Sequence, residues 1–124
     1  MTRKKLLVVD DSTIIRNHIA RLLGDPRLPN LDIVGLASDG EKALAAARDK
    51  RPDLITMDLT MPNMDGEACI EAVAKILPET RILVVSALSD NATALRALTK
   101  GAHGFLQKPF TDDSLIAALL ELME

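Results

Sequence analysis

Apolar residues recur along this chain in two alternating forms, short unbroken runs and longer stretches with helical spacing. The unbroken runs are Leu6-Leu7-Val8-Val9, Leu54-Ile55-Thr56-Met57 and Ile82-Leu83-Val84-Val85, joined by less regular apolar segments over residues 31–37 and 103–107. A strand that is apolar at successive positions is one buried on both faces, as in a parallel sheet. Between the runs the period changes. Ser12 precedes Ile15, Ile19, Leu22 and Leu23, the i, i+4, i+7, i+8 stripe of an amphipathic helix with a serine cap. Ser38 and Glu41 stand at capping-box spacing before an alanine-rich helix in which Ala43, Leu44 and Ala47 face the sheet.

Ile70, Val73 and Leu77 mark the inward stripe of a third helix, stopped by Pro78. Residues 91–100 predict a fourth helix with only Leu95 and Leu98 as its apolar pair, a thin stripe that implies a loosely held element closed by Gly101. The last helix starts at Thr111 or Asp112, with Leu115, Leu119 and Leu122 on one face and Ile116, Leu120 and Met123 widening it. Gly24-Asp25-Pro26, Pro29-Asn30 and Pro62-Asn63 with Gly66 supply the turns.

Five strand-then-helix units with short connections and no repeat predict an α/β domain spanning residues 1–124. It is a doubly wound five-stranded parallel sheet, flavodoxin-like, with strand order 2-1-3-4-5, right-handed crossovers and helices on both faces. In that order the first and third strands are neighbours at the switch point, where ligands bind at the carboxyl edge.

What stands at that edge raises the chain from a fold to a chemistry. The first strand ends in Asp10-Asp11, the third in Asp58, the fourth in Ser86 and the fifth in Lys108. A carboxylate at the end of a buried strand is costly to desolvate unless it is used. Three of them in one crevice repel one another, and a hard dication such as Mg²⁺ with a few oxygen ligands, together with the Lys108 ammonium, provides the compensating charge. An Asp beside Mg²⁺ and a lysine is poised to receive a phosphoryl group. Asp58 is the better nucleophile, being single and followed by a loop, Leu59 to Gly66, that can close over the product.

Size and composition fit this picture and narrow the partners. The chain has 124 residues, 48% of them hydrophobic and 27% charged, ordinary values for one globular domain. A net charge of −3 and pI near 5.4 carry no electrostatic footprint for nucleic acid. Arg3-Lys4-Lys5 reads as a solvated basic start. No run approaches the roughly 18 apolar residues of a membrane span. The single Cys69 suits a reducing compartment and a buried helical position, so a cytoplasmic location without membrane insertion is expected.

Asp10-Asp11, the segment Asp58-Leu59-Thr60-Met61-Pro62-Asn63-Met64-Asp65-Gly66, Ser86-Ala87 and Lys108-Pro109-Phe110 together resemble the receiver domain of bacterial response regulators. The resemblance covers essentially the whole chain. It implies that Asp58 accepts a phosphoryl group from the phosphohistidine of a sensor histidine kinase or histidine phosphotransfer protein, or from small acyl phosphates. It implies Mg²⁺ held by Asp11, Asp58 and the backbone carbonyl of Thr60, with Asp10 acting through water. Ser86 becomes the switch hydroxyl, Phe105 the switch aromatic, and the Lys108–Pro109 bond is cis. Thr60 and Leu88 occupy positions that in this family influence how water reaches the phosphoaspartate, and the apolar Leu88 is expected to hinder it. Phe105 stands where many members carry Tyr, so only the packing part of that switch is retained.

The resemblance also implies output through the fourth helix, fifth strand and fifth helix onto a partner protein, as in single-domain chemotaxis or phosphorelay regulators, and no catalysis beyond the domain's own phosphorylation and dephosphorylation. A receiver excised from a methylesterase or a transcription factor is the alternative. A Mg²⁺-dependent aspartyl-phosphate phosphatase of the haloacid dehalogenase style is a rival, but it needs an Asp where Thr60 stands. A flavin protein of the same topology would want stacking aromatics, and the chain has no Tyr or Trp. His18 and His103 lie outside these motifs and read as structural.

Overall fold

The computed structural model describes residues 3–28, 30–88 and 90–124. Its elements alternate from the start: β1 (Lys4–Val9), α1 (Thr13–Leu22), β2 (Leu31–Ala37), α2 (Gly40–Lys50), β3 (Leu54–Met57), α3 (Gly66–Ile76), β4 (Arg81–Ser86), α4 (Asn91–Lys100), β5 (Gly104–Gln107) and α5 (Asp112–Met123). The strands form one parallel sheet in the order β2-β1-β3-β4-β5. Both the fold class and the strand order are those expected from the sequence. Pro29, assigned to a loop with Asn30, lies outside the described residues.

Alternation along each strand divides the core in two, because successive side chains leave a strand on opposite faces. Leu7, Val9, Ile55, Met57, Ile82 and Val84 join Ala43, Ala47, Ile70, Val73 and Ala97 of α2, α3 and α4. Leu6, Val8, Leu54, Leu83 and Val85 join Ile19, Leu22, Leu115, Ile116, Leu119 and Leu122 of α1 and α5. The central strands are therefore apolar on both sides, as their uninterrupted runs required.

Several local expectations change. The cap of α2 is Asp39, whose carboxylate accepts from Lys42 N–H at 2.8 Å, not Ser38. An Asp reaches the same first-turn donor as a Ser, and a helix starting one residue later uses it. On α4 the buried residues are Thr93 and Ala97, while Leu95 and Leu98 are 66% and 45% exposed. The helix packs inward through two small side chains and turns its leucines outward. It is laced to α3 by Arg96–Glu67 at 3.3 Å and Lys100–Glu71 at 2.9 Å. Leu120 of α5 is likewise exposed rather than part of the packed face.

The basic start is not simply solvated. Arg3 makes a paired contact with Asp32 at 2.6 Å, and Lys4 and Lys5 belong to β1. Among the described residues no helix is long and apolar enough to cross a membrane.

Candidate functional site: an acidic crevice at the carboxyl edge

Because β1 and β3 are adjacent, their carboxyl ends deliver Asp10, Asp11 and Asp58 to one place. Ligand oxygens of the three lie within 4.8 Å of one another. Asp10 and Asp58 are buried and Asp11 is exposed. The two strands are joined right up to this point, since Asp58 N–H donates to Val9 O at 3.0 Å.

Lys108 enters from the end of β5. Its Nζ lies 2.7 Å from Asp10 Oδ2 and 3.7 Å from Asp58 Oδ1, with the side chain only 17% exposed. The ammonium is thus shared between the two buried carboxylates and favours Asp10. One lysine does not offset both: burial first, then the neighbouring Asp10 charge, push Asp58 up to about 6, with Lys108 and the Thr60 N–H pulling the other way and Asp11 adding a smaller push. Thr60 N–H approaches Asp58 Oδ1 at 3.4 Å.

Ser86 ends β4 as a buried residue whose Oγ accepts from Leu88 N–H at 3.0 Å, while its carbonyl accepts from Lys108 N–H at 2.8 Å. The Ser86 backbone therefore anchors the residue that carries the ammonium. The Lys108–Pro109 peptide bond is cis, as expected. Phe105 is half-buried and packs against the cluster shared with α3 and α4. Leu88 is exposed at the rim. Every residue singled out from the sequence thus lies on a strand end or the loop beyond it, apart from Phe105, which lies within β5.

The loop after Asp58 is held more tightly than its sequence announced. A Cβ on Gly66 would stand 2.2 Å from Asp58 O, and one on Gly40 would stand 2.1 Å from Met64 O, so both helix starts are pressed against this loop. Asn63, at φ 70°, donates from Nδ2 to Asp39 Oδ2 at 3.0 Å. The αL conformation suits asparagine. Arg16, also unforeseen, donates from Nη1 to Asp10 O at 2.6 Å. Its only sequence signal is its place one turn beyond Ser12, from which a long side chain can reach back over the helix start.

The donor set fits a hard divalent cation. All three side chains offer oxygen and carry like charge, and the Asp58 carboxyl is pushed up by burial first and by the neighbouring Asp10 charge second, both of which a bound dication would offset. Cys69 does not contribute, being on the buried face of α3 with its thiol pushed up to about 11 by burial and, less, by Asp65.

The chain is similar to known proteins in sequence and in structure. The chain is 33% identical over 116 residues to the chemotaxis protein CheY of Thermotoga maritima, a match covering 94% of each. It is 37% identical over 109 residues to a protein-glutamate methylesterase/protein-glutamine glutaminase of Geobacter sulfurreducens, covering 88% of this chain but 29% of that longer protein. In structure it is similar to a chain of the CheX–CheY–BeF₃–Mg²⁺ complex from Borrelia burgdorferi, with a TM-score of 0.92, 26% identity and coverage of 99% and 91%. The model of the response regulator receiver domain matches residues 6–120, and with the acidic crevice in the expected place the chain belongs to that family of phosphoacceptor signalling modules.

Proposed function

We propose that Asp58 is the phosphoacceptor of this receiver and that Asp10, Asp11 and Asp58, with the backbone carbonyl of Thr60, hold Mg²⁺. The observation that carries this reading is the sharing of one ammonium, Lys108, between two buried carboxylates at the end of adjacent strands. A site built only for stability would not leave an acid there pushed up to about 6.

A carboxylate oxygen of Asp58 attacks phosphorus of the phosphohistidine donor, the new P–O bond forms as the P–N bond breaks, and the imidazole leaves with the electron pair. Above pH 6 Asp58 is ionised and nucleophilic. Lys108 stands close enough to both Asp10 and Asp58 to shift its contact onto the phosphoryl oxygens as charge develops. Bound Mg²⁺ would supply further positive charge to those same oxygens. Ser86 Oγ, now accepting from Leu88 N–H, can donate its proton to the new dianion and draw the loop after β4 with it. Phe105 follows by packing alone.

The changed surface is that of α4, β5 and α5, which already exposes Leu95, Leu98 and Leu120 to a partner protein. Donor proteins of the sensor kinase or phosphotransfer type and a chemotaxis output fit the relatives, as does a receiver acting within a larger regulator such as a methylesterase. No direct role with nucleic acid is proposed.

Incubation with Mg²⁺ and acetyl phosphate, followed by intact mass measurement, tests the reading. One added phosphoryl group is expected, lost in Asp58→Asn and without Mg²⁺. Addition that survives Asp58→Asn would assign the chemistry to another residue.

A further inference from the structure

Lys108 is carried by a short connection between β5 and α5, and both sides of that connection are held. On the near side its N–H donates to Ser86 O. On the far side the holding group is His18 of α1. Its ring stacks on Phe110 with centroids 5.2 Å apart and planes 24° apart, and its Nε2 lies 2.6 Å from Asp112 Oδ1. One imidazole therefore grips the residues two and four positions beyond Lys108.

A second link between the loop after α1 and α5 exists, Arg27 Nη1 to Asp113 Oδ1 at 3.0 Å, but both side chains are more than half exposed and Arg27 is also engaged by Asp25. An exposed pair of this kind contributes little. His18 is 27% exposed at its side chain and has a packed aromatic partner as well as a carboxylate.

The contacts close into a ring. The Asp10 carboxylate binds Lys108 Nζ, and the Asp10 carbonyl accepts from Arg16 of α1. Two residues along the same helix, His18 holds the connection from which Lys108 projects. The helix that is pinned to Asp10 is thus also the strut that sets where the Asp10 partner sits. Phe110 joins the packed cluster on this face, so the strut has a fixed base.

We propose that His18 is a positioning residue for the phosphoryl transfer: through Phe110 and Asp112 it holds Lys108 between Asp10 and Asp58. This rests on the reading of Lys108 and Asp58 given above. His18 touches neither carboxylate and acts only through the connection.

The test uses the full chain and its His18→Ala, His18→Phe and Asp112→Ala variants. Asp112→Ala removes the acceptor for His18 and leaves the α5 cap intact, because Thr111 provides it. Two readouts are taken, the Lys108 amide and ammonium resonances without any donor, and the phosphorylation rate with Mg²⁺ and acetyl phosphate alongside the Mg²⁺ dissociation constant. His18→Ala and Asp112→Ala are expected to move the Lys108 resonances and to slow phosphorylation roughly tenfold, less than the hundredfold or so that a displacement of about 1 Å can cost. Mg²⁺ affinity stays unchanged. The double variant should be no slower than either single one, since both remove one strut. His18→Phe, which keeps the stacked ring, should fall between wild type and His18→Ala.

Unmoved Lys108 resonances or an unchanged rate overturn the proposal. So does a parallel loss of rate and Mg²⁺ affinity, which would mean general loosening of the site. A wild-type chain that takes no phosphoryl group on Asp58 overturns the underlying reading instead, and the resonances then still decide whether the strut acts on Lys108.

Discussion

Replacing the proposed phosphoacceptor should make the protein more stable. Asp58 is buried beside Asp10, and its carboxyl is pushed from 3.8 to about 6, chiefly by burial and by the Asp10 charge. That displacement corresponds to about 3 kcal/mol of disfavour for the ionised form in the native state. The sign follows from linkage. Below about pH 4 the carboxyl is protonated in both native and unfolded chains and costs nothing. As pH rises towards 6 the unfolded chain ionises first, and native stability falls. Above about 6 the full cost persists. Asp58→Asn keeps the shape, removes the charge and leaves Lys108 to Asp10, its nearer partner.

The variant is therefore expected to exceed wild type by about 1–3 kcal/mol at pH 7.5 without divalent metal, the lower figure allowing for the weaker Lys108 contact that is also lost. Urea unfolding at several pH values measures it. The difference should shrink towards zero near pH 4, and Mg²⁺ should narrow it at pH 7.5 by stabilising wild type more. Equal stabilities at pH 7.5, or a difference that does not vary with pH, would refute the view that Asp58 is held ionised against local repulsion.

Other expectations are more local. Lys108→Ala leaves buried Asp10 without its cation and should cost about 3 kcal/mol in urea unfolding, recovered in part by Lys108→Arg. Gly66→Ala places a Cβ 2.2 Å from Asp58 O, against backbone that cannot give way, and should lower the unfolding free energy by more than about 2 kcal/mol while impairing phosphorylation. The phosphorylated protein should decay more slowly than its Leu88→Glu variant, because the apolar rim residue hinders attacking water; equal decay in a mass time course would exclude Leu88 from this role. Cys69, buried and with its thiol pushed up to about 11, should resist a thiol reagent at pH 8 until urea unfolds the chain.

Strand ends were legible because an apolar run that stops at Asp10, Asp58, Ser86 or Lys108 states both the burial and its limit. Helix starts were legible to within one position, since Ser38 and Asp39 both offer a capping oxygen and only backbone geometry chooses between them. The α4 stripe is not legible in the sequence, because hydrophobicity marks what can be buried, whereas the packing of α4 buries Ala97 and Thr93 and leaves the larger leucines outside.

The sequence by itself determined the alternating units, and through them the doubly wound sheet and the identity of the residues at its carboxyl edge, because period and turn chemistry are local properties. Only the tertiary structure decided that Lys108 lies nearer Asp10 than Asp58, that Asn63 ties the loop after β3 to Asp39, and that His18 reaches Phe110 and Asp112. These contacts join residues 24 to 98 positions apart in separate units, so no local pattern encodes them. They exist because right-handed crossovers place α1 and α5 on one face and α2 and α3 on the other, and distance along the chain then ceases to measure distance in space.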